Sequence, residues 1–91
     1  MSERVRRRLV ISGRVQGVFF RDRCRAEAHA HRVAGWVTNR PDGRVEAVLE
    51  GDPGAVATVE AWCRHGPPRA AVTHVAATDE APTGATGFQV T

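Results

Sequence analysis

The part of the chain best suited to bind an anion is the segment 13–21, which reads Gly-Arg-Val-Gln-Gly-Val-Phe-Phe-Arg. Its two glycines permit backbone conformations that other residues rarely adopt, so successive N–H groups can form a concave nest. The segment enters a predicted helix whose first N–H groups lack partners and lie at the positive end of the helix dipole. Arg21, Arg23 and Arg25 crowd this end beside one acid, Asp22, which is unfavourable unless an anion lies between them. The residues therefore predict a phosphate or carboxylate site, and the alternative is that Arg21 reaches solvent or a nearby carboxylate.

The other residues that can do chemistry give weaker signals. All 13 basic residues are arginine, which excludes a Walker-type phosphate loop and Schiff-base chemistry because both need lysine. The four histidines include no pair at i and i+4, so no metal site is expected. Cys24 and Cys63 form no C-x-x-C pair, which favours buried thiols. A disulfide between them remains an alternative if the two residues lie on facing helices. Neither Ser12 nor Cys24 has a recognisable base partner, and Asn39 alone is typical of a residue beside a turn.

Charge is divided unevenly between the two halves of the chain. Residues 1–44 hold 11 arginines against 4 acids, a net charge of +7, whereas residues 45–91 hold 2 arginines against 6 acids, a net charge of −4. A basic front half indicates an anionic partner such as phosphate, nucleic acid or an acidic surface. For the arginine cluster at 4–8, the ordinary alternative is a solvated face without a partner.

Length and composition restrict the protein to a few classes. The 91 residues are expected to form a single domain, 1–91, with one modest core. Hydrophobic residues make up 42% and charged residues 25%, as in globular proteins. No apolar run approaches the roughly 20 residues of a membrane span, and the apolar run after the cluster at 4–8 is too short for a signal peptide. We therefore expect a soluble, cytoplasmic protein without a membrane partner.

The spacing of apolar residues predicts the elements that position these groups. The first predicted helix carries Phe20, Cys24, Ala28 and His31 along one stripe. The order βαββαβ with a terminal strand indicates an α+β, ferredoxin-like sandwich, an antiparallel sheet of four to five strands with two helices on one face. This plan hosts carriers, RNA-binding modules and enzymes, so it does not by itself indicate a function. The predicted strands are 5–12, 33–39, 44–50, 70–78 and 88–90, and the predicted helices are 20–31 and one that begins at Pro53 and ends before Gly66.

Three blocks of the sequence together resemble the acylphosphatase family. The loop at 13–21 is similar to the family's first signature, G-x-V-Q-G-V-x-F-R. Residues 35–39, Gly-Trp-Val-Thr-Asn, with Asp-Gly-Arg-Val-Glu-Ala at 42–47, resemble its second signature. Residues 62–68 are similar to the end of the family's second helix. The likeness runs from about residue 8 to residue 90, nearly the whole chain.

The resemblance implies an acylphosphatase, a hydrolase without metal or cofactor that splits the carboxyl–phosphate bond of small acyl phosphates into a carboxylate and inorganic phosphate. It implies that Arg21 and Asn39 are catalytic, because Arg21 would neutralise the phosphoryl oxygens and Asn39 would hold the attacking water. It also implies that the loop cradles the phosphate, chiefly through the amides of residues 15–20. The phosphate-binding residues are then Arg14, Val15, Gln16, Gly17, Val18, Phe19, Phe20 and Arg21.

Three residues depart from the family's pattern. Thr38 stands where the family often has Arg or Lys, which either weakens the attraction for a second anionic group or has little effect. His31 and Arg32 stand where the family commonly has Leu and Gly. We therefore expect a small polar flaw in the core at His31, and at Arg32 either a positive φ or a different helix end.

The alternative function is a nucleic-acid-binding module of the same fold that uses the basic front half. RNA-binding modules of this plan stack bases on aromatic residues of their two central strands. The predicted strands 5–12 and 44–50 contain no aromatic residue, so no specific nucleic-acid partner is expected. The protein is expected to be a monomer whose partners are a small acyl phosphate and inorganic phosphate or another anion in the loop.

Overall fold

Five strands and two helices form a two-layer structure in the computed structural model, which describes residues 3–91. The sheet has the order β4-β1-β3-β2-β5, and both helices pack on one face of it. The predicted α+β, ferredoxin-like fold is confirmed. The strands are β1 (Val5–Arg14), β2 (Ala34–Asn39), β3 (Val45–Gly51), β4 (Ala71–Glu80) and β5 (Phe88–Val90), and the helices are α1 (Phe20–Ala30) and α2 (Pro53–Cys63).

The predicted antiparallel arrangement holds for β1 to β4 but not for the terminal strand, because β5 runs parallel to β2 while the other strand pairs are antiparallel. The reason lies in the crossover. Strand β4 ends at the same end of the sheet where β2 begins, and residues 81–87 cross that end from one edge to the other. The chain must therefore start β5 beside the start of β2 and follow it in the same direction.

The observed bounds of the elements differ from the predicted ones by one or two residues. Strands β1 and β4 both end two residues later than predicted, and at the end of β1 Gly13 and Arg14 continue the strand beyond a bulge instead of opening the loop. A side chain at residue 13 would place its Cβ 2.1 Å from the Ala71 carbonyl oxygen of β4. Glycine at this position therefore permits the close approach that extends the pairing of β1 with β4.

The core lies between the two helices and one face of the sheet, and the two cysteines are part of it. Cys24 of α1 and Cys63 of α2 are fully buried free thiols with 4.0 Å between their Sγ atoms. The hydrogen bond between them and their burial raise the pKa of the Cys63 thiol. The interpretation as buried thiols is thus confirmed. The main core residues are Leu9, Ile11, Phe20, Cys24, Ala28, Val37, Val45, Ala47, Leu49, Val56, Val59 and Cys63.

Helix α1 ends one residue earlier than predicted, and this changes the place of His31. His31 follows the helix, its side chain is 40% exposed, and it lies beside Glu27 instead of in the core. The expected polar flaw at His31 is therefore wrong, because the stripe of Phe20, Cys24 and Ala28 already covers the core. Arg32 has φ 56°, the left-handed conformation, which is one of the two alternatives expected there.

We expect Arg32→Gly to stabilise the protein by about 1 kcal/mol, because glycine adopts a positive φ without the steric cost of a Cβ. In a chain of this size that gain corresponds to a rise of roughly 4–8 °C in the midpoint of thermal unfolding. Urea and thermal denaturation at pH 7 measure it. Arg32→Ala removes the same charge and keeps the Cβ, so it should give no gain. An equal gain in both variants would assign the effect to charge instead of backbone strain.

The arginine cluster at 4–8 is engaged in ion pairs with acids of the second half of the chain. Arg6 and Arg8 lie on the open face of the sheet, and Arg7 lies on the helix face, where its Nε is 2.9 Å from Glu60 Oε1. The +7 and −4 halves of the sequence therefore fold against each other, and this cluster offers little free charge to an external anion. The ion pairs are Arg4–Glu50, Arg6–Glu50, Arg6–Glu80, Arg7–Glu60, Arg7–Asp79, Arg8–Glu46 and Arg8–Glu80.

Glu50 is the one fully buried charged residue among residues 3–91. Burial alone would raise the pKa of its carboxyl group, but hydrogen bonds from the crossover and from Arg6 outweigh it and hold the pKa at about 2. The backbone N–H of Thr83 lies 3.1 Å from Oε1, and that of Gly84 lies 2.8 Å from Oε2. Glu50 thereby fixes the crossover 81–87 to the end of the sheet.

We expect Glu50→Gln to lower the free energy of unfolding at pH 7 by about 3 kcal/mol, because the substitution leaves donors buried without their charged partner. The wild-type carboxylate has a lowered pKa, so its stabilisation is complete above about pH 4.5 and is lost as the pH falls toward 2. Urea denaturation between pH 7 and pH 3 should therefore show a steeper acid loss for wild type than for the variant.

Asp79→Asn is the matched control for the Glu50 substitution. Asp79 also accepts from an arginine, but its side chain is 84% exposed. We expect less than about 1 kcal/mol of destabilisation from Asp79→Asn, because exposed ion pairs contribute little. Parallel acid profiles for wild type and Glu50→Gln would contradict the role assigned to Glu50.

No helix among residues 3–91 has the length and apolar character needed to cross a membrane.

Candidate active site

Between β1 and α1, buried residues anchor a loop that forms part of a concave surface. Val15 and Val18 are buried and anchor the loop to the core. Gly17 has φ 73°, and Phe19 adopts the left-handed conformation with φ 67° while its ring is 68% exposed. A positive φ is costly for an aromatic residue, so this turn is held by its surroundings and not by local preference.

Backbone N–H groups of this loop are available to a ligand. Of the turn and loop hydrogen bonds between backbone atoms of residues 3–91, none takes an N–H of residues 15–19 as its donor. Helix α1 follows at once, and its N-cap residue, Phe19, makes no capping hydrogen bond with its side chain. Free amides and an uncapped helix N-terminus together favour an anion at this place.

Arg21, in the first turn of α1, is held from the far end of the chain. Its Nη1 donates to the backbone oxygen of Thr91 at 2.9 Å, and the Thr91 N–H donates to the Val37 carbonyl at 3.0 Å. None of the acids in the described part of the chain forms an ion pair with Arg21. The guanidinium is therefore oriented by the backbone of residue 91, and no Asp or Glu side chain of residues 3–91 pairs with its charge.

Asn39 ends β2 and lies beside the loop. Its backbone is paired with Val45 of β3, which fixes the position of its side chain. Within residues 3–91, the side-chain hydrogen bonds do not involve the Asn39 amide, so both its donor and its acceptor are free. Asn39 and Arg21 line the same cavity of about 470 Å³.

Gln16 connects the two parts of the site. Its Nε2 donates to the Arg40 carbonyl at 2.7 Å and to the Arg44 carbonyl at 3.0 Å, both in the turn between β2 and β3. The side chain thus ties the loop to the turn that follows Asn39. Sequence reasoning placed Gln16 among the phosphate-binding residues and missed this structural contact. The contact has no local signal, because Arg40 and Arg44 lie 24 and 28 residues after Gln16 in the chain.

The structure brings six of the nine predicted site residues together around the cavity. Arg14 lies outside it, as the last residue of β1 opposite Ala71 of β4. Gln16 and Val18 support the loop without lining the cavity. No cluster of His, Cys, Asp or Glu in the range 3–91 has the arrangement of a metal site. The predicted residues that line the cavity are Val15, Gly17, Phe19, Phe20, Arg21 and Asn39, and the further lining residues are Asp22, Arg25 and Val90.

Residues 7–90 match the model of the acylphosphatase family. The chain belongs to this family. An acylphosphatase of Rubrobacter xylanophilus is 56% identical over 84 residues, which cover 91% of this chain and 76% of that relative. An acylphosphatase of Gloeobacter violaceus is 50% identical over 90 residues, covering 99% of this chain and 97% of the relative. Identity at this level over nearly the full length supports an acylphosphatase enzyme.

Solved acylphosphatase structures have the same fold. The structure of an acylphosphatase from Coxiella burnetii matches with a TM-score of 0.92 and 34% identity, covering 97% of this chain and 93% of that one. The acylphosphatase from Bacillus subtilis also matches with a TM-score of 0.92, at 36% identity, covering 96% and 98% of the two chains. The nucleic-acid-binding alternative is not favoured by these likenesses to acylphosphatases.

Proposed function

We propose that this acylphosphatase hydrolyses the carboxyl–phosphate bond of small acyl phosphates through the β1–α1 loop, Arg21 and Asn39, without a metal or cofactor. The observation that carries the proposal is the convergence on one cavity of a charged guanidinium and a free side-chain amide, beside a loop with available N–H groups. The guanidinium and the loop N–H groups suit a phosphoryl group, and the side-chain amide suits an attacking water.

The phosphoryl group binds in the loop. Its oxygens accept hydrogen bonds from the backbone of residues 15–20 at the positive end of α1. Arg21 adds a charged donor, and its planar guanidinium suits two oxygens at once. Phosphoryl transfer passes through a loose transition state whose charge is spread over these oxygens, so fixed donors at the loop contribute most of the stabilisation.

Asn39 orients the attacking water. Its side-chain oxygen accepts from the water and its NH₂ group can donate to a phosphoryl oxygen, which places the water on the side of phosphorus opposite the acyl oxygen. A neutral amide does this without placing a negative charge beside the phosphate.

The reaction needs no group that protonates the leaving oxygen. The water oxygen bonds to phosphorus, the bond between phosphorus and the acyl oxygen breaks, and the proton of the water passes to the phosphate product. The leaving group departs as a carboxylate, a weak base that is stable without a proton. Positioning and charge stabilisation by this chain's own groups are therefore sufficient.

Hydrolysis of benzoyl phosphate in excess EDTA tests the proposal. Wild-type protein should turn over this substrate at a rate that EDTA does not change, and inorganic phosphate should inhibit it by occupying the loop. Arg23→Ala serves as a control, because Arg23 lies in the same turn as Arg21 but outside the cavity. Folded wild-type protein without turnover would overturn the proposal, and loss of turnover in EDTA would overturn its metal-free part.

The proposal includes a monomer that acts in the cytoplasm. Its support is that the loop, Arg21 and Asn39 of one chain supply every group that the proposed mechanism uses. Gel filtration together with activity measured over a range of protein concentrations tests it. A specific activity that rises with concentration would show that the monomer is incomplete.

A further inference from the structure

Arg25 lies one helical turn after Arg21, the proposed catalytic arginine, and is outside the loop motif at 13–21. It stands four residues after Arg21 on α1, so the two side chains leave the same face of the helix with about 5–6 Å between their Cβ atoms. Both line the same cavity. A second permanent positive charge is thus placed one helical turn away from the phosphate-binding end.

The charge of Arg25 is not used within the described structure. Seven of the 13 arginines form ion pairs with acids among residues 3–91, and Arg25 is not one of them. Asp22 is the single carboxylate among the groups that line the cavity, and no ion pair joins it to Arg21 or Arg25. Repulsion between two arginines on one helix face destabilises the helix slightly, which a bound dianion would offset.

The β2 side of the cavity, where Asn39 lies, offers no such charge. The neighbouring Thr38 pairs with Glu46 of β3 and does not line the cavity. The rim carries Phe19 and Val90, the two large hydrophobic residues that are exposed among residues 3–91. Beyond the phosphate, the cavity therefore presents an apolar rim, the carboxylate of Asp22 and one cation, Arg25.

We propose that Arg25 is a specificity-determining residue that favours acyl phosphates whose acyl group carries a second negative charge, a carboxylate or a phosphate. The proposal rests on the proposed function, since it assigns the phosphoryl group to the loop and Arg21. The cavity volume of about 470 Å³ lies within the roughly 300–1,000 Å³ of small-molecule sites, so an acyl group fits beside the phosphate. Its second anion then meets the guanidinium of Arg25 in a charge-assisted hydrogen bond.

Paired substrates test this role. Carboxylate-bearing 3- and 4-carboxybenzoyl phosphate are compared with neutral 3- and 4-methylbenzoyl phosphate, and 3-phosphonobenzoyl phosphate supplies the phosphate-like anion. The measured quantity is the ratio of kcat/KM for the anionic and neutral members of a pair. Dividing each variant's ratio by that of wild type removes the intrinsic reactivity of the substrates.

We expect Arg25→Gln to lower this ratio about five- to tenfold, mainly through a higher KM for the anionic substrate. Arg25→Lys should restore part of the ratio, and Arg25→Glu should lower it further. The wild-type ratio should also fall with added salt, because the second anion is only partly shielded from solvent. The ratio of kcat/KM is measured separately for the carboxylate and the phosphonate substrates. The substrate whose ratio falls more in Arg25→Gln carries the kind of anion that the cavity favours.

Arg23→Gln is the matched control. Arg23 lies on the same helix, also forms no ion pair among the described residues, and lines a different depression with Trp62. An equal fall of the ratio in Arg23→Gln would show that net charge alone attracts the substrate, and this would overturn the proposal. An unchanged ratio in Arg25→Gln with normal turnover of the neutral substrates would overturn it too, while leaving the proposed function intact. Absence of turnover on every substrate would instead be the failure of the proposed function.

Discussion

Arg21→Ala is expected to lower kcat/KM for benzoyl phosphate by at least about 10²-fold. Arg21 lines the cavity without an ion pair to any Asp or Glu side chain of residues 3–91, and its hydrogen bond to the Thr91 backbone holds it in place before substrate arrives. Removing one preorganised donor from a site of charge development typically costs about 10²–10³ in rate. Both kcat and KM should suffer, because the bound phosphate and the transition state are both anionic.

Three measurements make this prediction specific to Arg21. Circular dichroism and urea denaturation establish that Arg21→Ala remains folded. Arg23→Ala removes the same charge from the same helical turn outside the cavity and should stay within a few fold of wild type. Arg21→Lys should recover only part of the activity, since an ammonium lacks the planar fork of the guanidinium. A folded Arg21→Ala protein with near-normal kcat/KM would exclude the assigned role.

Asn39→Ala is expected to lower kcat by about 10²-fold and to change KM little. In the proposed mechanism the amide of Asn39 holds the water, whose position matters in the transition state more than in substrate binding, so its loss should appear in kcat. Initial rates over a range of substrate concentrations separate the two constants. Inhibition by inorganic phosphate should be nearly unchanged, because the loop and Arg21 remain intact.

Thr38→Ala provides the comparison for Asn39. Thr38 precedes Asn39 in β2 but does not line the cavity, so its substitution should leave kcat within about twofold of wild type. If Asn39→Ala instead raised KM alone, the residue would be a phosphate ligand and the water would be held by another group.

How much of the fold the sequence predicts depends on whether a signal is local. The stripe of Phe20, Cys24 and Ala28 is a local pattern that predicts helix α1, whereas the glycine-free end of the helix leaves a positive φ at Arg32 as one of two alternatives. The direction of β5 cannot be predicted from a local pattern, because a strand of three residues carries no sequence signal for the strand that it pairs with. It is set by the crossover 81–87, which Glu50 holds through hydrogen bonds to residues more than 30 positions away.

The same distinction applies to the candidate site. Arg21 and the loop stand out locally, because arginine at an uncapped helix start is unfavourable without an anion. Asn39 is inconspicuous by itself and is predicted through the resemblance alone. The contacts that position these groups, Gln16 on the β2–β3 turn and Thr91 on Arg21, join distant segments and carry no signal in sequence spacing.

The bond between Arg21 and Thr91 has a consequence for the order in which the protein becomes competent. It closes a loop of 70 residues, and such long-range closure is entropically costly and slow to form during folding. A nascent chain still lacking β5 already contains the whole phosphate loop and Asn39, but not the contact that orients its charge. The proposed role of Arg21 therefore predicts that full activity is acquired only after residue 91 has been synthesised and docked, so that activity would report on the completion of the fold.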